Sequence, residues 1–166
     1  MYIKEYSCNR FAGLKDISLE FEKGMNVILG PNESGKSTLV EGIYTTLFKT
    51  INLTRRNLDK DFRNKYMPKP DGDTIDGKLS LDLEGEKYIL VKEWGTAKSL
   101  QLMTPNGDII KSEDRVNGIL NEILLFGEGT YNSIVFAKQR DIKNAIDNII
   151  ENSETTSEIS TLLRQA

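Results

Sequence analysis

No histidine occurs in the 166 residues, which removes imidazole as acid, base or metal ligand and leaves a zinc centre without its usual nitrogen donor. Cysteine is nearly as scarce. Cys8 stands alone, so no internal disulfide can form, and the chain fits a reducing, cytoplasmic setting. No apolar run approaches the roughly 18 residues that read as a membrane span. The opening Met1-Tyr2-Ile3-Lys4-Glu5 lacks the basic-then-apolar order of a signal peptide, so no membrane association is expected. A strong excess of one charge is missing too: the net charge is -3 and the isoelectric point near 5.2, which gives no overall pull toward nucleic acid or bilayer. With 38% hydrophobic residues over this length, one core and one domain are expected.

What is present is more specific. Gly30-Pro31-Asn32-Glu33-Ser34-Gly35-Lys36-Ser37-Thr38 fits the phosphate-loop pattern G-x-x-x-x-G-K-[ST] at every fixed position. Two glycines let successive backbone amides curl toward phosphate oxygens, Lys36 reaches the β- and γ-phosphates, and the Ser37 hydroxyl takes a place on Mg²⁺. The flanks suit the motif. Met25-Asn26-Val27-Ile28-Leu29 is a short apolar run that reads as a buried parallel strand, and Leu39, Val40, Ile43, Tyr44, Leu47 and Phe48 recur at helical spacing. Strand, loop and helix in that order put phosphates at a helix N-terminus, where free N–H groups and the macrodipole favour anions.

Elsewhere the pattern is mostly β. Tyr2 to Cys8 reads as a first strand and the alternating Ile17, Leu19 and Phe21 as a second, paired with it. Leu79, Leu81 and Leu83, the Glu84-Gly85 turn and Tyr88 to Trp94 form a hairpin. Leu100 and Leu102, then the Pro105-Asn106-Gly107-Asp108 turn and Ile109-Ile110, extend it into an antiparallel meander beside the parallel core. Ser112 is the expected N-cap of a helix with the stripe Val116, Ile119, Leu120, Ile123 and Leu124, and Ile134 to Ala137 reads as a further buried strand running into Lys138-Gln139-Arg140. Residues 49–69 carry seven cations against Asp59 and Asp61. Such a block reads as a solvated loop, with phosphate contact, to nucleotide or to a DNA backbone, as the sharper alternative.

An NTPase also needs an acidic residue on a second buried strand to hold Mg²⁺. The one run that ends in acid is Leu79-Ser80-Leu81-Asp82-Leu83-Glu84-Gly85, which imitates a D-x-x-G switch but reads as the hairpin. The chain thus carries half of a catalytic site.

The loop, Phe11 upstream, Gly24 before the loop strand and Gln139 after the Ile134–Ala137 strand together resemble the N-terminal half of an SMC/SbcC-type ATPase head, an ABC-like and AAA-type P-loop fold; the variant Gly30–Leu39 is most similar to its YhaN-like branch. The resemblance implies an α/β P-loop NTPase, an ABC-ATPase-like N-terminal lobe with a mixed sheet and an antiparallel β meander, over residues 1–150. Residues 151–166 would be the start of a coiled-coil helix or a frayed C-terminus. It implies ATP and Mg²⁺ as ligands: Asn32, Glu33, Ser34, Gly35, Lys36, Ser37 and Thr38 cradling the phosphates, Ser37 and Gln139 at the metal, and Lys36 and Gln139 as catalytic residues. It further implies a C-terminal lobe supplying an Asp-Glu strand and signature sequence, a second head joined through ATP, double-stranded DNA as substrate in repair or end processing, and a nuclease subunit as partner. Two positions depart from the family. Ala12 stands where an arginine is common, leaving Arg10 as the nearest substitute, and Glu33 stands where glycine is common. Arg63, in the basic block, lies where relatives contact nucleotide or DNA. The alternatives are a self-contained P-loop small-molecule or nucleotide kinase, or a non-catalytic module that binds nucleotide for stability.

Overall fold

The computed structural model describes residues 1–53, 56–69, 72–124 and 128–131. Its elements run β1 (Tyr2–Phe11), β2 (Leu14–Glu20), α1 (Lys36–Phe48), α2 (Arg56–Tyr66), β3 (Thr74–Leu83), β4 (Glu86–Gly95), β5 (Ser99–Met103), β6 (Ile109–Ile110), α3 (Glu113–Leu124) and α4 (Glu128–Thr130). Two compact units divide within α3, Met1–Leu120 and Asn121–Ala166. In the second, Tyr131 donates its hydroxyl hydrogen to the Leu124 carbonyl at 2.8 Å.

The first unit is built on a six-stranded sheet of order β2-β1-β3-β4-β5-β6, with every neighbouring pair antiparallel. Strand alternation sends Tyr6, Ile75, Leu79, Leu81, Leu90, Trp94, Leu100 and Leu102 to one buried face. The expected hairpin and meander are both present: Leu83 pairs with Glu86 across Glu84-Gly85, whose φ values of 55° and 94° suit the tight reversal, and Asp82 Oδ1 accepts the Gly85 N–H. Asp82 is therefore a turn residue and not part of a switch.

α1 lies against the buried face through Leu39, Ile43, Thr46 and Leu47. Gly42 permits the approach, since a Cβ there would run into the Tyr6 hydroxyl. The far end of α1 is clamped by Lys92, which is 1% exposed and donates from Nζ to the carbonyls of Leu47 and Lys49 at 3.1 and 2.9 Å. Those carbonyls belong to the helix C-terminus, where the dipole favours a cation. Next to it Trp94 Nε1 donates to Thr50 O, and Glu113 accepts from Thr50 Oγ1, the Ile51 amide and Asn52 Nδ2. Burial pushes the Glu113 carboxyl up, but those donors and the Lys92 charge outweigh it and hold the group below its ordinary range.

Two expectations differ from the structure. The basic block is not a loop: 56–66 form α2, in which Phe62 and Tyr66, one turn apart, give a mostly polar helix an aromatic anchor. Trp94, Phe62, Tyr66 and Phe11 follow one another with ring centroids 5.7, 5.1 and 4.9 Å apart, tying α2 to β4 and β1. The second difference lies before the phosphate loop. Met25–Leu29 joins no ladder among the described residues, and Met25, Val27 and Leu29 are 92%, 70% and 87% exposed. A parallel strand needs a neighbour to pair with and cover for both faces, and the described sheet is antiparallel and places no strand beside it. The strand expected at Ile134–Ala137, Gln139 and the segment 151–166 lie outside the described residues.

Candidate phosphate-binding site

The loop from Gly30 to Gly35 closes on itself before α1 begins. Ser34 N–H donates to Pro31 O at 3.3 Å, Glu33 takes φ 66° and Gly35 takes φ 89°. Gly35 is the residue preceding the helix, and no side chain caps the first turn, which also holds no acidic residue. Its amides are left for an external acceptor, the condition for anion binding at a helix N-terminus. Gly35 is favoured by its left-handed backbone, and the end of the Leu14 side chain lies against it, 2.9 Å from where a Cβ would stand.

Lys36 turns back over the loop. Its Nζ donates to Gly30 O at 2.8 Å and Pro31 O at 2.7 Å, and lies 3.5 Å from Ser34 Oγ. The ammonium is thereby held inside the loop's curve, where a polyphosphate would meet both its charge and the helix amides. Ser37 is exposed in the first turn and Thr38 half-buried. The donor set fits a triphosphate with its divalent cation: free amides, one fixed ammonium and a hydroxyl at the position that would hold Mg²⁺. Asn32, Glu33, Ser34, Gly35, Lys36, Ser37 and Thr38 run consecutively through the loop into the first turn of α1.

The remaining candidates are spread more widely. Arg10 is on β1, exposed, in the hairpin whose Leu14 touches the position of Gly35. Ala12 caps that hairpin at φ 51°, with its N–H donating to Tyr66 O at the end of α2. Arg63 is exposed in the last turn of α2. No contact joins it to the loop among the described residues; its helix reaches α1 instead through Lys65, 3.1 Å from Glu41. That exposed pair contributes little to stability. One basic residue of the hairpin escaped the sequence reading. Lys15 is the cross-strand partner of Arg10, and the signal for it was equal spacing on either side of the Ala12-Gly13 turn.

A nucleotide-type phosphate loop on an α/β lobe defines a P-loop protein, and comparison with known proteins narrows the class. The family model described as AAA domain matches residues 7–166. The DNA double-strand break repair Rad50 ATPase of Sulfolobus acidocaldarius is 26% identical over 155 residues, covering 91% of this chain and 17% of that protein. Its namesake from Methanocaldococcus jannaschii is 24% identical over 164 residues, covering 98% and 15%. The chain therefore spans only a small part of the length of these relatives. Among solved structures, one from work on ATP-driven dimerization and DNA-stimulated activation of SMC ATPases superposes with a TM-score of 0.55 at 15% identity, covering 90% of this chain and 99% of that one, a likeness of fold. The chain belongs to the AAA domain family, as an N-terminal lobe of an SMC/Rad50-type P-loop ATPase head. No helix among the described residues is long and apolar enough to cross a membrane.

Proposed function

We propose that this lobe binds ATP·Mg²⁺ and becomes an ATPase only when a second segment, supplying the acidic strand and signature sequence, completes the head. The observation that carries the reading is the stretch feeding the phosphate loop. Met25, Val27 and Leu29 hold apolar side chains in water, directly before a loop that is otherwise formed. Covering three such side chains is worth roughly 4–9 kcal/mol, from about 1.5–3 kcal/mol for each. A completing segment that pairs with Met25–Leu29 and packs over its side chains would gain up to that energy and place its own carboxylates next to the loop.

In the completed site Lys36 and the α1 amides bind the phosphates and Ser37 holds the cation, with Gln139 as its second ligand. The cation would supply positive charge to the phosphates. From the relatives' names we further propose that the head works in DNA double-strand break repair, in the cytoplasm, pairing with a second head through ATP and acting on double-stranded DNA beside a nuclease subunit. Arg63 and the exposed cations of α2 are the proposed phosphate contacts to nucleotide or DNA.

The test is ATP turnover by the purified chain with and without the completing segment, and with and without duplex DNA. Turnover that appears only with the segment, and rises with DNA, supports the reading. Vigorous turnover by the chain alone would replace it with a self-contained kinase or NTPase.

A further inference from the structure

The first half of the phosphate loop is a tight turn. Ser34 N–H donates to Pro31 O, which puts Asn32 and Glu33 at the two central positions. Of these, Glu33 alone takes a positive φ, 66°. A turn with φ above zero at its third residue asks for glycine there. Glycine would meet that demand without strain and without charge. The position instead holds a carboxylate, in a backbone conformation that glutamate seldom adopts.

That carboxylate is exposed, and among the described residues it has no hydrogen-bond or ion-pair partner. Lys36 does not pair with it. The ammonium is held instead by Gly30 O at 2.8 Å and Pro31 O at 2.7 Å, so the two charges stay separate. Glu33 is also the sole acidic residue from Gly30 to Val40. The negative charge of the loop and of the first turn of α1 is therefore its own.

Its place in the chain decides what it acts on. Glu33 is two residues from Pro31, so their Cα atoms are at most about 7 Å apart. The Pro31 carbonyl holds the ammonium that would meet the phosphates. Carboxylate and polyphosphate would thus stand on the order of 10 Å apart, the range over which charges act on each other at about 0.1 M salt. No contact is needed at that range, because the repulsion follows the net charge of the ligand. Fully ionised ATP carries about four negative charges and ADP about three, and a divalent cation cancels about two of either. The carboxylate opposes ATP·Mg²⁺ about half as strongly as bare ATP.

We infer that Glu33 is a specificity-determining residue, whose charge makes the loop disfavour bare nucleotide and accept the polyphosphate that arrives with its divalent cation. The inference deepens the ATP·Mg²⁺ reading and rests on it. Lys36 and the α1 amides attract any phosphate chain, with or without a cation. Glu33 is the group of the loop that tells the two apart.

The test is the dissociation constant of ATP and of ADP, each with chelator and with saturating Mg²⁺, for the chain, E33Q, E33G and K36A. Titrations are run at low salt and about pH 8, well above the phosphate ionisation near pH 6, with folding followed by circular dichroism. E33Q is expected to tighten binding of bare ATP about tenfold, from about four charges roughly 10 Å away in water. The gain should fall to about sixfold for bare ADP, about threefold for ATP·Mg²⁺ and about twofold for ADP·Mg²⁺, because its logarithm follows the ligand's charge. E33G removes the same charge and should rank the ligands in the same order, and the gains should shrink in high salt. Equal gains for all four ligands would mean that Glu33 acts through loop shape alone and would overturn the inference, as would unchanged affinity in E33Q. Weaker ATP·Mg²⁺ binding by E33Q would overturn it as well, since the carboxylate would then be holding the cation. In each of these cases loss of binding in K36A leaves nucleotide binding by the loop intact. Affinity unchanged in K36A would overturn both readings.

Discussion

Replacing Lys92 by methionine removes the ammonium that holds the C-terminal end of α1 and keeps most of the stem's volume. The two carbonyls it serves, Leu47 O and Lys49 O, are backbone groups that the substitution cannot take away. A hydrogen bond from a charged donor is worth about 1.5–3 kcal/mol net, so losing two costs roughly 3–6 kcal/mol. Against this, the variant no longer desolvates an ammonium, which returns part of the loss. Removing one partner of a buried charged contact usually leaves a deficit near 3 kcal/mol, and we expect about that here. For a chain of this size, the change corresponds to a fall in melting temperature of about 6–12 °C, at roughly 2–4 °C per kcal/mol. Urea unfolding followed through Trp94 reports it directly: this is the sole tryptophan, it is 1% exposed, and its Nε1 donates to Thr50 beside the clamp. The midpoint should drop with the slope unchanged. A midpoint equal to or above that of the parent chain would mean that ammonium desolvation dominates and that Lys92 does not stabilise α1.

Glu113 supplies a pH dependence of known sign. Its folded value is depressed, so its contribution is present above the unfolded glutamate value of about 4.3 and lost as pH falls through the lower folded value; Glu113→Gln should flatten the acid limb of a stability–pH profile in that window. Gly42→Ala gains about 1 kcal/mol of helix propensity but drives a methyl into the Tyr6 hydroxyl. Overpacking costs about 1–3 kcal/mol, so thermal melts should show net loss. Leu29→Asp changes a residue already in water: the melting temperature of the chain alone should hold, while pull-down of the completing segment should fail.

The hairpin and meander were legible in the sequence because their signals are local. Apolar residues two apart, together with Glu84-Gly85 and Asn106-Gly107, specify strands and turns without reference to the rest of the chain. The phosphate-loop motif is equally local, since it lies within the nine consecutive residues from Gly30 to Thr38. α2 was not legible as a helix, since its three apolar residues, Leu58, Phe62 and Tyr66, stand among eight charged or amide ones, and what Phe62 and Tyr66 pack on, Trp94 and Phe11, lies far away in sequence. Met25–Leu29 has the composition of a buried strand, but composition does not provide the neighbours that pairing needs. The amides of Asn9 and Arg10 both donate to the carboxylate of Asp76, far along the chain, and no periodicity in β1 announces it. Lys92 would pass for a solvent-facing lysine in an alternating strand until the helix terminus above it is seen.

The central claim is that Gly30–Thr38 holds the phosphates of ATP, and calorimetric titration of the chain with ATP·Mg²⁺, beside K36A, tests it most directly. Saturable binding by the parent, lost in a K36A chain with unchanged circular dichroism, is the expected result. Equal heats from the two proteins would contradict it, because the ammonium that the loop holds between Gly30 O and Pro31 O would then have no part in nucleotide binding.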